Sequence, residues 1–296
     1  MSISHVIRGQ DHLSNTHKQI LIYEALGKTP PAFSHLPLIN APDRTKLSKR
    51  KHGEVVSVTT YRDKGFIPEA FRNFLALIGW SSGTDKEFFT TKELIEAFSL
   101  DGVSRGNAIV NFSESDPRQW TDRKALHLNA EHMNQMPLEQ LLPMVEAELK
   151  ATGLWDEGWA KDGNRRDWFG KAVDLLRPRF VTLKDFSGMG RAFFDKTYDI
   201  DPVAVQKNIE KDPGVRKWLV ELGGRFKGLA AFNKETAEQE LRKLADELQI
   251  KAGLLINGSR TVTTGVSVGP PLFDLLEALG QDVVVARLAT SATFGR

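Results

Sequence analysis

At 296 residues the chain is longer than one average domain and suits two or three. Its composition, 41% hydrophobic and 26% charged, is too apolar for a disordered chain, and no long uncharged apolar run is present, so no membrane span is expected. Absence of Cys excludes disulfides and thiolate zinc sites, and the opening "MSISHVIRGQDH" carries no export or organelle signal, so a cytoplasmic location is expected. The net charge is only +2 but uneven: residues 1–70 carry 10 Lys/Arg against 6 Asp/Glu, and residues 71–150 carry 8 against 12. Five of the seven His also precede residue 53, which concentrates positive and titratable chemistry in the first part of the chain.

In chain order, "HVIR" predicts a short strand. Thr16-His17-Lys18-Gln19 predicts a capping box opening the helix "QILIYEAL", which Gly27 stops. "LPLI" at 36–39 predicts a second strand, completing one strand–helix–strand crossover of an α/β domain. That strand leads into the basic loop "DRTKLSKRKHG", residues 43–53, with five Lys and Arg between Arg44 and Lys51.

Beyond the loop the pattern turns helical. Pro68 suits a first helical turn, and Phe71, Phe74, Leu75 and Ile78 fall on one face before Gly79. Past about residue 125 the chain is expected to be mostly helical, with Gly-, Trp- and Asp-rich loops such as 153–168. Asn233 is the expected N-cap of a helix with Ala237, Leu241, Leu244, Ala245 and Leu248 on one face. "NGSRTVTTGVSVGPPLF" at 257–273 predicts an extended loop ahead of the helix "LFDLLEALG". His127 and His132 lack the H-E-x-x-H spacing of a zinc site and are expected to be core or surface residues.

A phosphate site needs positive charge and donors at short range, and Lys46, Lys49, Arg50 and Lys51 offer both. A solvated basic turn or a nucleic-acid contact would account for the charge equally well. No Walker pattern precedes the lysines.

"KLSKR" at 46–50 resembles the KMSKS signature of class I aminoacyl-tRNA synthetases, in the form of the glutamyl branch, with Leu47 for Met and Arg50 for the final Ser. Three longer stretches are similar, in the same order, to the bacterial glutamyl-tRNA synthetase family: "HVIRGQDHLSNTHKQILIYEALG", "HLPLINAPDRTKLSKRKHGEVVSVTTYRDKGFIPEAFRNFLALIGWS" and "KAGLLINGSRTVTTGVSVGPPLFDLLEALG". The resemblance implies a mixed fold, with a partial Rossmann-type α/β catalytic half-domain at 1–55, a helical stem-contact region at 56–125 and an all-α anticodon-binding domain at 126–296. It also implies ATP as substrate with Mg2+, no protein-bound metal, and L-glutamate and tRNA(Glu) as partners. Lys46 and Lys49 take the catalytic roles. Lys46, Leu47, Ser48, Lys49 and Arg50 form the ATP-binding loop, and Arg8 of "IRGQDH" approaches the glutamate carboxylate. Gln10, Asp11 and His12 are candidate ligand contacts, with Gln10 standing where Glu is usual. Asp11 and His12 serve equally well as helix caps.

The family's His-Ile-Gly-His signature has no H-x-G-H counterpart among the seven His. The chain is therefore expected to begin inside its catalytic domain, to be inactive alone, and to have the missing N-terminal half as a partner. A non-catalytic tRNA-binding fragment or pseudo-enzyme is the rival from another class, opposed by Arg8 and both loop lysines. Glutaminyl-tRNA synthetase, which continues into β-barrels, and the short glutamyl-queuosine relatives, which lack an anticodon domain, are opposed by the helical tail.

Overall fold

The computed structural model describes residues 2–113, 116, 119–161 and 163–294, with the backbone alone at Glu54 and Val55. It divides into two units, 1–133 and 134–296. Asp162, within the stretch expected to be a loop, lies outside the described residues.

In the first unit, β1 (His5–Gly9) and β2 (Ala32–Leu36) pair in parallel, with Arg8 opposite His35, and α1 (Leu13–Ala25) connects them. The expected crossover is thus present, but its helix starts earlier than the capping-box pattern indicates. A 3-10 turn at Gln10–His12 leads directly into α1, and Thr16 lies inside the helix, donating its hydroxyl to the His12 carbonyl at 3.2 Å. The half-buried Arg8 and His35 engage the buried Thr16 hydroxyl instead, so it is not used as a cap. Gly27, with φ +63°, follows α1 in a backbone region that glycine enters without strain.

The second strand is also displaced. β2 ends at Leu36, Pro37 has no N–H to give a ladder, and Ile39–Asn40 forms a separate strand β3. It pairs in parallel with β4 (Ala108–Ile109), a partner so far along the chain that no local pattern announces it.

After the basic loop come α2 (Lys49–His52), α3 (Val58–Asp63), α4 (Pro68–Leu77), α5 (Thr91–Ala97) and α6 (Arg123–Gln135). Tyr61, Phe66, Phe74, Val110, Ala125 and Leu128 form a hydrophobic cluster, with Phe112 and Trp120 packed against it. Pro68 is at the first turn of α4 as expected, whereas Leu75 points outward and Asn73 occupies the buried face instead. Asn73 is hydrogen-bonded at both ends there: its Nδ2 donates to the Glu87 carbonyl at 2.9 Å, and its Oδ1 accepts from the Phe89 N–H at 2.8 Å and lies 3.0 Å from His132 Nε2. His132 is a core histidine stacked near Phe88, while His127 is exposed, 3.7 Å from Glu131.

The second unit consists of helices: α7 (Leu138–Ala151), α8 (Asn164–Leu176), α9 (Lys184–Ser187), α10 (Arg191–Phe194), α11 (Pro202–Asn208), α12 (Val215–Lys227), α13 (Lys234–Glu247), α14 (Ala252–Thr264), α15 (Leu272–Leu279) and α16 (Gln281–Ala289). Asn233 caps α13 as expected: its Oδ1 accepts the Thr236 N–H at 2.9 Å, and the Thr236 hydroxyl accepts the Asn233 N–H at 3.1 Å. Two expectations fail. Residues 257–264 are helical, because Gly258 lets the backbone pack closely against Val215 and Leu219 of α12; within that helix the hydroxyls of Thr263 and Thr264 are satisfied by the carbonyls of Ser259 and Arg260. Only from Gly265, at φ +80°, does the extended stretch begin. Trp168 likewise belongs to α8 and Trp159 to a 3-10 turn, not to a loop.

Candidate functional site

The basic loop leaves the carboxyl end of β3, the end of a parallel strand at which open α/β sheets place ligands. Its arms are fixed by main-chain bonds. The Leu47 N–H donates to the Ile39 carbonyl at 2.8 Å, and the Ala41 N–H to the Thr45 carbonyl at 2.9 Å, while Arg44 takes φ +63° at the bend. Lys51 bonds to Asp43 at 2.9 Å and to the Thr45 hydroxyl at 2.8 Å, and its ammonium holds the Asp43 carboxyl well below the usual carboxylate range. Lys46 pairs with Asp11 at 2.6 Å and lowers that carboxyl too. Arg44, Lys49 and Arg50 are exposed and have no carboxylate partner among the described residues. Ser48, in an extended conformation, starts α2 without using its hydroxyl as a cap.

The Lys46–Asp11 pair brings the loop to the turn that follows β1, and Arg8 is the penultimate residue of that strand. Its guanidinium is half-buried and donates through Nη2 to the Thr16 hydroxyl and to Gln19 Oε1, both at 2.8 Å. The same hydroxyl lies 2.8 Å from His35 Nε2, and the Phe33 ring stacks against Arg8 at 5.3 Å. Every partner is neutral, and Arg8 Nε is buried with no hydrogen-bond partner. The positive charge is therefore oriented but not neutralised, an arrangement suited to a carboxylate.

Gln10 gives its amide to Asn107 Oδ1 at 2.5 Å, and that oxygen also accepts the Leu38 N–H at 3.0 Å. His12 stands exposed at the start of α1. Among the described residues no group of three or more His, Asp or Glu side chains is arranged to hold a metal ion.

Thr16, Gln19, His35 and Asn107 all escaped sequence inspection as site residues. A signal did exist for two of them: Thr16 and Gln19, three apart, share a helix face, and a strand-end Arg needs acceptors nearby. In the second unit, Trp155, Trp159 and Trp168 pack with Phe169 and Phe194, with Trp–Trp centroid distances of 5.5 and 5.6 Å. Trp159 is buried there, and the Trp168 indole donates to the Ala278 carbonyl at 2.6 Å.

The model for the class I tRNA synthetase (E and Q) catalytic domain matches residues 1–116, and that for an anticodon binding domain matches residues 127–292. The glutamate–tRNA ligase of Desulfotalea psychrophila is 47% identical over 97% of this chain and 58% of its own length. Glutamate–tRNA ligase 2 of Koribacter versatilis is 45% identical over 97% and 56%. A crystal structure of a glutamate tRNA ligase from Elizabethkingia meningosepticum, in complex with its amino acid, superposes with a TM-score of 0.78 at 27% identity, covering all of this chain and 58% of that one. The chain thus spans a little over half the length of these relatives. With a catalytic-domain match followed by an anticodon-domain match, and identity sustained across both, the chain belongs to the glutamate–tRNA ligase family of class I tRNA synthetases.

Proposed function

We propose that this chain carries the phosphate-binding loop, the amino-acid arginine and the anticodon-reading helices of a glutamyl-tRNA synthetase. The observation that carries the proposal is the Lys46–Asp11 pair, which sets a loop whose Lys49 and Arg50 have no carboxylate partner among the described residues beside the turn after Arg8. In this scheme Arg8 holds a carboxylate of L-glutamate. Lys46 and Lys49, supported by Leu47, Ser48 and Arg50, hold the ATP phosphates. Gln10, Asp11 and His12 line the approach between them.

The reaction needs no protein nucleophile. A glutamate carboxylate oxygen attacks the α-phosphorus of ATP, pyrophosphate leaves, and the terminal ribose hydroxyl of tRNA(Glu) then takes the glutamyl group and releases AMP. Catalysis consists of alignment and of stabilising the charge that grows on the phosphate oxygens, a task for Lys49 and Arg50, whose charges have no carboxylate partner among the described residues. Mg2+ would arrive held by the ATP phosphates and water, and would offset part of their negative charge. We assign residues 1–55 to the catalytic half-domain, 56–125 to acceptor-stem contact and 126–296 to anticodon recognition, in a cytoplasmic enzyme. The apolar side chains of Leu21 and Ile22, exposed on α1, and of Leu26 just after it, suit packing against the remainder of a nucleotide-binding sheet.

The test is equilibrium binding of this chain to tRNA(Glu) and to an unrelated tRNA at fixed salt. Affinity should fall with salt through phosphate contacts while a preference for tRNA(Glu) persists. Equal affinity would remove anticodon reading. Alone, the chain has no H-x-G-H, and glutamate-dependent ATP–pyrophosphate exchange is expected to stay at the no-enzyme level.

A further inference from the structure

His52 closes the one-turn helix α2 and is 8% exposed, the sole buried residue of that helix. Its ring meets Phe112 edge to face, with centroids 5.9 Å apart, and Phe112 packs against the hydrophobic cluster of the first unit. The same ring reaches back along the loop: the Ser48 main-chain N–H donates to His52 Nδ1 at 3.2 Å. In the opposite sense the Ser48 carbonyl accepts the His52 N–H at 2.9 Å. Both polar ends of Ser48 are therefore tied to one residue, and that residue is anchored in the core. Immediately afterwards Gly53, at φ +57° and ψ −126°, turns the chain away through a conformation that residues with a Cβ avoid.

We propose that His52 is a positioning residue for the phosphate-binding loop, fixing through Ser48 the direction in which Lys49 projects. This rests on the loop being a phosphate site, as argued above. The preceding arm is pinned by β3 through Leu47, so Ser48 is where the pinned strand ends and the exposed cations begin. Without the ring nitrogen, the Ser48 N–H faces no acceptor, and the backbone that carries Lys49 is free to rotate. A backbone N–H can only donate, so Nδ1 must be the unprotonated nitrogen and the ring proton must sit on Nε2. The side chain thus acts as a hydrogen-bond acceptor at one defined position. Asn can reproduce an acceptor at the δ position, whereas Gln places its amide at the ε position.

The experiment compares wild type with His52→Asn, His52→Gln and His52→Leu in the 296-residue chain, using two NMR measurements: exchange of the Ser48 amide proton, and a titration with ATP followed at the amides of Lys49 and Arg50. We expect wild type and His52→Asn to protect the Ser48 amide and to bind ATP alike. His52→Gln and His52→Leu should lose the protection and bind ATP about fivefold more weakly, the loss of one ordinary hydrogen bond. His52→Leu fills the space beside Phe112 without an acceptor, so wild-type behaviour from it would reduce His52 to a packing residue and overturn the proposal. Equal behaviour of Asn and Gln would do the same. Loss of amide protection with unchanged ATP affinity would overturn the link to Lys49. Absence of ATP binding by wild type, with Ser48 protection intact, would instead strike the phosphate-loop assignment itself and the role of His52 with it.

Discussion

Two helices that each carry a run of apolar side chains meet opposite fates. In α1, thirteen residues long and containing Ile20, Leu21 and Ile22, Thr16 alone is buried. In α15, eight residues long, Leu272, Leu275, Leu276 and Leu279 are all buried. The crossover around α1 is held by directional polar contacts that converge on Arg8, and the helical unit is held by removal of apolar surface from water. An apolar pattern therefore reports what a helix can cover, and the partner decides whether it is covered.

The contrast can be broken most directly by truncation. Phe226 is 0% exposed in the last turn of α12, and Phe226→Ala should cost about 3–5 kcal/mol in denaturant unfolding, whereas Leu21→Ala on α1 should cost less than about 0.5 kcal/mol. Comparable losses would mean that α1 is packed after all. Next in size is the polar region's own weak point. In an enzyme completed by grafting these residues into the Desulfotalea psychrophila ligase, Lys49→Ala should slow glutamate activation on the order of 100-fold with little change in glutamate affinity. A change below about threefold would make Lys49 a surface lysine.

A smaller effect probes a polar contact inside the apolar region. Asn233→Ala removes the capping bond of α13 and should cost about 1 kcal/mol in the same unfolding measurement. Finally, a polar group buried in the first unit should give a pH dependence. Burial pushes His132 below its ordinary 6.5, so the native state keeps it neutral while the unfolded chain takes up a proton. Its contribution is complete above about 6.5 and is lost as pH falls below that value towards the folded one. Thermal midpoints recorded across that window should decline for wild type and flatten for His132→Gln, whose amide can still reach Asn73.

These features were legible in the sequence to different degrees. The cap at Asn233, the stop at Gly27 and the Pro68 start were visible because each depends on residues within one turn. The β3–β4 pair and the helical state of 257–264 were not, because each is decided by a distant neighbour that outweighs local preference. The site divides in the same way. Lys46, Lys49 and Arg8 stand in contiguous motifs, but the groups that orient them, Asp11 for Lys46 and Thr16 and Gln19 for Arg8, become meaningful only once β1, α1 and the loop meet.

Asn107 carries a consequence for which substitutions this fold can accept. Its side-chain oxygen receives the Leu38 main-chain N–H, a group that can only donate, and this settles which end of the amide faces inward. Residue 10 must then present a donor to the same oxygen, and Gln10 does. A glutamate at that position would set acceptor against acceptor. Turning the Asn107 amide over to greet it would leave the Leu38 N–H facing an NH2 group. No orientation of one asparagine serves both neighbours, so glutamate at 10 and asparagine at 107 exclude each other in this geometry. Positions 97 apart in the chain are thus linked, and in a combinatorial library at the two sites the functional members should keep a hydrogen-bond donor at 10 wherever 107 stays asparagine.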